Sequence, residues 1–136
     1  MIVYKYRKEL GTIKALVKRP VADIELLGKD KDWYWVTAYI DSGADISIIP
    51  YSLGLSMGFE IKKDKIIELT GAGGREIPTL IIKTKIKFSK DIIRDAEIGW
   101  ALIETVPILL GRHTLFETFN ITFKEKEDLI IFEPIG

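Results

Sequence analysis

The stretch Tyr39-Ile40-Asp41-Ser42-Gly43-Ala44-Asp45-Ile46-Ser47-Ile48-Ile49-Pro50 sets a carboxylate, a hydroxyl and a glycine between two apolar runs. Such a carboxylate is expected where water is scarce, and that placement calls for a reason. Held at the end of a rigid strand, Asp41 can give or take a proton as a general acid or base. Gly43 lets backbone approach closely beside it, and the Ser42 hydroxyl can lock the loop by hydrogen bonding. Asp, Ser and Gly are also ordinary turn formers, so the tripeptide alone reads first as a plain turn. Asp45, taken alone, reads as a solvated loop carboxylate.

Composition narrows the chemistry. Twenty basic residues balance twenty acidic ones, so no overall field draws the chain to nucleic acid or to anionic lipid. With no cysteine, disulfides, thiolate nucleophiles and thiolate metal sites are excluded. A single histidine, His113, gives a histidine metal site or a Ser-His-Asp triad little to build on. No cofactor or metal is therefore expected, and neither a nucleic-acid nor a membrane partner. The charged start, Met-Ile-Val-Tyr-Lys-Tyr-Arg-Lys-Glu, does not suit a secretory signal. No apolar run reaches membrane-spanning length. The cytoplasm is the expected compartment, and the initial Met suggests a free-standing protein.

The elements that must position Asp41 are mostly short apolar runs divided by turn residues, which predicts an all-β domain spanning 1–136. Strands are expected over Thr12–Val17, Val21–Leu27, Trp33–Ile40, Ile98–Ile103 and Ile108–Leu110. A short helical turn is expected at Tyr51–Leu55, closed by Gly58. Ile66–Leu69 and Ile77–Phe88 flank a glycine-rich connector, Thr70–Glu76, and form a hairpin whose tip needs positive φ. Helical spacing appears over Gly111–Phe119, and a last hairpin joins Ile121–Phe123 to Leu129–Phe132 across Lys124–Asp128. Lys83, Lys85 and Lys87 alternate with Thr84, Ile86 and Phe88 as a solvated strand face. Trp33, Trp35 and Trp100 read as core or subunit-contact aromatics, and His113 as a surface or subunit-contact residue.

An apolar strand, Asp-Ser-Gly-Ala and then Ile46–Pro50 together resemble the active-site loop of aspartic proteases. Downstream, Val106-Pro107-Ile108-Leu109-Leu110-Gly111-Arg112 resembles their second signature, apolar residues and a glycine leading into a short helix. Gly71-Ala72-Gly73-Gly74 lies between them, where these enzymes carry a flap. The resemblance is to the retropepsins, the retroviral-type aspartic proteases. It covers residues 18–123, and Gly111–Phe123 (GRHTLFETFNITF) matches particularly well. It implies a closed or partly open β-barrel with a flap hairpin and one short C-terminal helix. Residues 1–17 form an N-terminal extension outside the match, and 124–136 a C-terminal strand and tail.

Aspartic-protease chemistry needs two carboxylates that share a proton, because like charges about 3 Å apart cannot both ionise readily. The sequence holds one Asp-Ser/Thr-Gly, so the second must come from another copy across a twofold axis. The resemblance thus implies a homodimeric endopeptidase in which paired Asp41 residues activate a water against a peptide bond of a peptide or protein substrate. It implies loop support from Ser42, Gly43 and Ala44. Substrate contacts are implied from Asp45, Ile46, Ile108 and the flap tip Gly71, Ala72, Gly73 and Gly74, and an ion pair between Asp45 and Arg112. The alternative is a catalytically restricted module of the same fold that binds peptides or assembles. Leu129–Phe132 is expected to pair with its twin or with an N-terminal strand.

Overall fold

The computed structural model describes residues 1–13 and 16–135. In chain order the strands are β1 (Ile2–Lys5), β2 (Arg7–Glu9), β3 (Val17–Arg19), β4 (Val21–Leu27), β5 (Trp33–Ile40) and β6 (Ile48–Ile49). They continue with β7 (Ile67–Thr70), β8 (Glu76–Ser89), β9 (Ile92–Ala101), β10 (Leu109–Leu110), β11 (Phe119–Lys124) and β12 (Leu129–Pro134). The α-helix among the described residues, α1 (Tyr51–Ser56), follows β6.

Seven strands form one sheet in the order β4-β5-β10-β6-β9-β8-β7. Glu25 and Leu26 of β4 also pair with Lys87 and Ile86 of β8, so the sheet bends round on itself into a ring. Alternation explains which side faces in. Along β4 and β5, Ala22, Ile24, Leu26, Val36, Ala38 and Ile40 are buried inside the ring while the alternate residues, apart from the buried Val21, are more exposed. Ile86 and Phe88 of β8 do the same, and Lys83 and Lys85 stand in solvent on its other face.

A second sheet, β1-β12-β11, closes one end. Its inner face presents Tyr4, Ile130, Phe132 and Phe119 to Phe88 of the ring. Phe132 is fully buried, with Tyr4, Phe88 and Phe119 rings at 5.0, 6.0 and 5.4 Å. Burial of such side chains contributes about 1.5–3 kcal/mol each. Leu129–Phe132 therefore pairs with an N-terminal strand, β1 of its own chain, in the register Ile2↔Phe132 to Lys5↔Leu129. With β11 on its other side, β12 has no edge left for a twin.

Several regions differ from expectation, among them the chain start, where β1 and β2 form. The strand expected over Thr12–Val17 is not formed at Thr12 and Ile13, Lys14 and Ala15 lie outside the described residues, and among the described residues of that range only Val17 is in a strand. β9 begins at Ile92 rather than Ile98, because Arg94 occupies an inward position, its guanidinium 5.9 Å from the Phe119 ring while its stem packs. The helix expected over Gly111–Phe119 is a single π-type turn, Arg112–Phe116, interrupted by extended His113 and by Thr114 at φ 75° and ψ −59°.

Because three aromatic rings meet Phe132 and the end sheet has no other large plug at that position, Phe132→Ala should destabilise the fold by about 3–5 kcal/mol. Urea denaturation of the variant beside wild type measures this directly.

Candidate active site

The loop that carries Asp41 is shaped by strand order. β5 and β6 do not pair with each other; β10 lies between them, parallel to β5 (Leu110↔Ile40) and antiparallel to β6 (Leu109↔Ile48). Residues 41–47 must therefore bridge over the chain that leaves β10. Each residue of that departing chain donates upward. Gly111 N–H donates to Ser47 Oγ at 3.0 Å, Arg112 N–H to Ala44 O at 2.8 Å and His113 N–H to Asp45 O at 2.8 Å. From the other side, Asp41 N–H donates to Leu110 O at 3.0 Å.

Within the loop, Gly43 N–H donates to Asp41 Oδ1 at 2.9 Å and Ala44 N–H to Asp41 O at 3.3 Å. The carboxylate is thus fixed at both ends of its residue, by backbone below and by its own turn above. A Cβ on Gly43 would stand 3.2 Å from Asp41 Oδ1, so glycine admits the short approach. Asp41, Ser42, Gly43 and Asp45 are exposed in the single chain, and Ala44 and Ile46 are half-buried.

Gly111 is required for a stricter reason. A side chain there would run into Ile46 O and come within 2.7 Å of Ala44 O, both backbone atoms that cannot swing away. On β9, Gly99 leaves room for the Ile46 side chain and donates its N–H to Ser47 O at 2.8 Å. Ser47 itself, 2% exposed, is a site-shaping residue that sequence reasoning missed. Its signal was a hydroxyl at a position flanked by Ile46 and Ile48 in an otherwise apolar run.

The Arg112 side is also held from outside the loop. Thr114 is a buried β-branched residue in the left-handed region, a strained conformation that needs support. Its N–H donates to Glu117 Oε1 at 2.8 Å, and its carbonyl accepts from Thr118 Oγ1 at 2.7 Å. The His113 ring is bracketed by Glu97 at 3.1 Å and Glu117 at 3.0 Å. It lies on the surface as expected, and it faces carboxylates rather than Asp41.

The expected Asp45–Arg112 ion pair is absent among the described residues. Backbone bonds already join the two segments, and both side chains are left in solvent, where a long-range ion pair gains little. Ile108 is half-buried against the core, its carbonyl accepting from Tyr39 N–H at 3.0 Å. Gly71–Gly74 lie apart from the Asp41 loop, at the tip of the β7–β8 hairpin, with no hydrogen bond to that loop among the described residues. Gly73 (φ 80°) and Gly74 (φ 78°) supply the positive φ that the turn requires, and Gly71 N–H closes it on Arg75 O at 2.6 Å. Beyond the hairpin, the Glu104 carboxylate caps α1, accepting from Ser52 Oγ and N–H at 2.6 and 2.9 Å. Those bonds, the hydroxyl's foremost, hold Glu104 below the usual carboxylate range. Trp100, fully buried, donates Nε1–H to Tyr51 O and rests on Gly54, which seats the helix against β9.

Two substitutions test this interlock by thermal denaturation. Gly111→Ala should cost about 2–4 kcal/mol, since backbone must move to admit one methyl group. Ser47→Ala should cost about 1–3 kcal/mol, the penalty for leaving the Gly111 N–H without its acceptor.

No protein-family model matches the sequence, and no curated protein matches it. Solved structures do. EIAV protease in complex with the inhibitor HBY-793 superposes with a TM-score of 0.57 at 23% identity, covering 74% of this chain and 88% of that one. A retropepsin-like aspartic protease from Rickettsia conorii gives a TM-score of 0.56 at 16% identity, covering 81% and 88%. Sequence identity this low speaks to architecture alone: the fold of this chain is retropepsin-like.

Proposed function

We propose that the protein is a homodimeric aspartic endopeptidase whose catalytic dyad is Asp41 from each of two copies. The observation that carries this reading is the setting of Asp41. It is anchored to β10 through its own N–H and oriented by Gly43 N–H, yet its carboxylate is exposed in the single chain. A carboxylate held this firmly at a loop apex, with one face open, suits a partner of the same kind arriving across a twofold axis.

In the proposed reaction one Asp41 is ionised and the other protonated, the pair sharing a proton. The ionised member removes a proton from a water, which attacks the scissile carbonyl carbon. The protonated member donates to the carbonyl oxygen, giving a neutral tetrahedral gem-diol. Collapse breaks the C–N bond as the amine takes up a proton, leaving an acid and an amine with no covalent enzyme intermediate. Ser42, Gly43 and Ala44 support the loop. Asp45 and the half-buried Ile46 and Ile108 line the substrate, and the glycine-rich tip 71–74 acts as a flap over it. β7 pairs on one side only, with β8, so its hairpin can also receive an extended peptide by main-chain hydrogen bonds.

Asp41→Asn is the direct test, because it keeps the Gly43 acceptor while removing the acid–base group. Proteolysis of an unfolded test protein should fall roughly 10³-fold or more, with the dimer intact by sedimentation. Persistent cleavage in the variant rejects the mechanism. Peptide capture by wild type without any turnover would favour the binding-module reading instead.

A further inference from the structure

A neutral imidazole carries one N–H and an imidazolium carries two. That difference matters at His113, because its two ring nitrogens face carboxylates from different elements. Nε2 lies 3.1 Å from Glu97 Oε1 on β9, and Nδ1 lies 3.0 Å from Glu117 Oε1, just past the Thr114 turn. Whichever nitrogen holds the proton of a neutral ring, the other turns a lone pair towards an oxygen that has nothing to donate. The imidazolium donates to both, and so bridges β9 to the turn.

What the bridge spans is the backbone beneath the Asp41 loop. His113 is the third of the three residues whose N–H groups carry that loop, its own donating to Asp45 O at 2.8 Å. The next residue, Thr114, is kept in its left-handed conformation by an N–H bond to Glu117 Oε1, the same oxygen that meets His113 Nδ1. From the β9 side, Glu97 N–H reaches Thr114 Oγ1 at 3.5 Å. Other charges line the groove around the ring. Lys83 stands opposite Glu97 across the β8–β9 ladder, Lys31 lies at the groove wall, and Lys85 is taken up by Asp95 at 2.6 Å. Among the described residues neither Lys31 nor Lys83 pairs with Glu97 or Glu117, so the ring is the cation within reach of both.

We propose that His113 is a positioning residue for the Asp41 loop, effective in its charged form: the imidazolium, bridging Glu97 and Glu117, braces the Thr114 turn from which the loop hangs. This rests on the proposed dyad only in naming Asp41 as the group that is aimed; the brace belongs to the single chain. The charged ring has more partners in the fold than the neutral one. The brace is therefore complete at low pH and weakens as pH rises through the histidine range, between about pH 5 and 8. His113, Glu97 and Glu117 are 44, 47 and 64% exposed, so solvent screening keeps the effect modest.

Amide hydrogen exchange in the full chain tests this, read as protection factors so that the chemical pH dependence of exchange is removed. Relative to the slowest core amides, protection of the Arg112 and His113 N–H groups should fall about threefold across that pH range in wild type. His113→Gln, neutral throughout, should show the lower protection at every pH. Glu97→Gln supplies an amide that can donate to a bare ring nitrogen, so its pH dependence should flatten with protection kept high. Wild-type protection that ignores pH, or a fall that persists unchanged in His113→Gln, overturns the brace. Where wild type digests protein, His113→Gln should lower kcat at the acid end about threefold with KM unchanged, and an unaltered kcat overturns the positioning role. A chain that digests nothing removes the dyad reading and leaves exchange to decide the brace.

Discussion

Backbone hydrogen bonds between the chain leaving β10 and the loop above it are the constraint on which the rest depends. Three successive N–H groups, those of Gly111, Arg112 and His113, are taken by Ser47, Ala44 and Asp45. Inside a folded chain such groups must find partners, and here the loop offers the acceptors. Main-chain bonding of this kind is indifferent to most side chains. It fixes the height and tilt of the Asp41 loop through strand order alone, once β10 is placed between β5 and β6. Side-chain identity matters at the few points where atoms would collide or a donor would be stranded: an absent Cβ at Gly111, another at Gly99, and a hydroxyl at Ser47.

Rigidity spreads outward from those points. Gly99 admits Ile46, and its neighbour Trp100 stacks on Tyr51, leans on Phe59 and presses against Gly54. The loop, β9 and α1 are thereby packed as one body, since a close-packed interior transmits displacement rather than absorbing it. On the far side, the strained turn at Thr114 is held by Glu117 and Thr118. Strain of this kind persists only where surrounding bonds over-determine the backbone. The hairpin tip at Gly73 and Gly74 is the opposite case: a Cβ on either would touch nothing within 4 Å. A stiff loop and an open hairpin tip are what a site needs when one part must hold geometry and another must admit a chain.

Much of this was legible in the amino-acid sequence, and for identifiable reasons. Val21–Leu27 and Trp33–Ile40 emerge with the same bounds as β4 and β5, because their apolar periodicity is uninterrupted and polar turns bound them. The Asp41 loop and the Gly111 turn were recognisable as motifs, yet the bonds joining them were not: two are made by backbone common to every residue, and the third by the Ser47 hydroxyl. Local pattern failed where a charged side chain faces inward by its stem, as Arg94 does in β9, and where charges mask alternation, as in Ile2, Tyr4 and Tyr6 at the start of the chain. The Asp45–Arg112 pair failed differently. Opposite charge at plausible spacing suggested attraction, but the main chain had already joined the segments and both side chains stayed in water.

Asp41 remains lopsided. Backbone at Leu110 O anchors it from below and its own turn supplies the Gly43 amide, while the rest of its carboxylate is exposed in the single chain. In the single chain it stands without a second carboxylate, and its charge is screened by a medium of high dielectric constant. On the proposed reading, the second copy changes both conditions at once, bringing a like charge that compels proton sharing and excluding water that would weaken it. The subunit interface would then be a component of the reaction centre rather than scaffolding around it, and activity would follow dimer concentration through mass action.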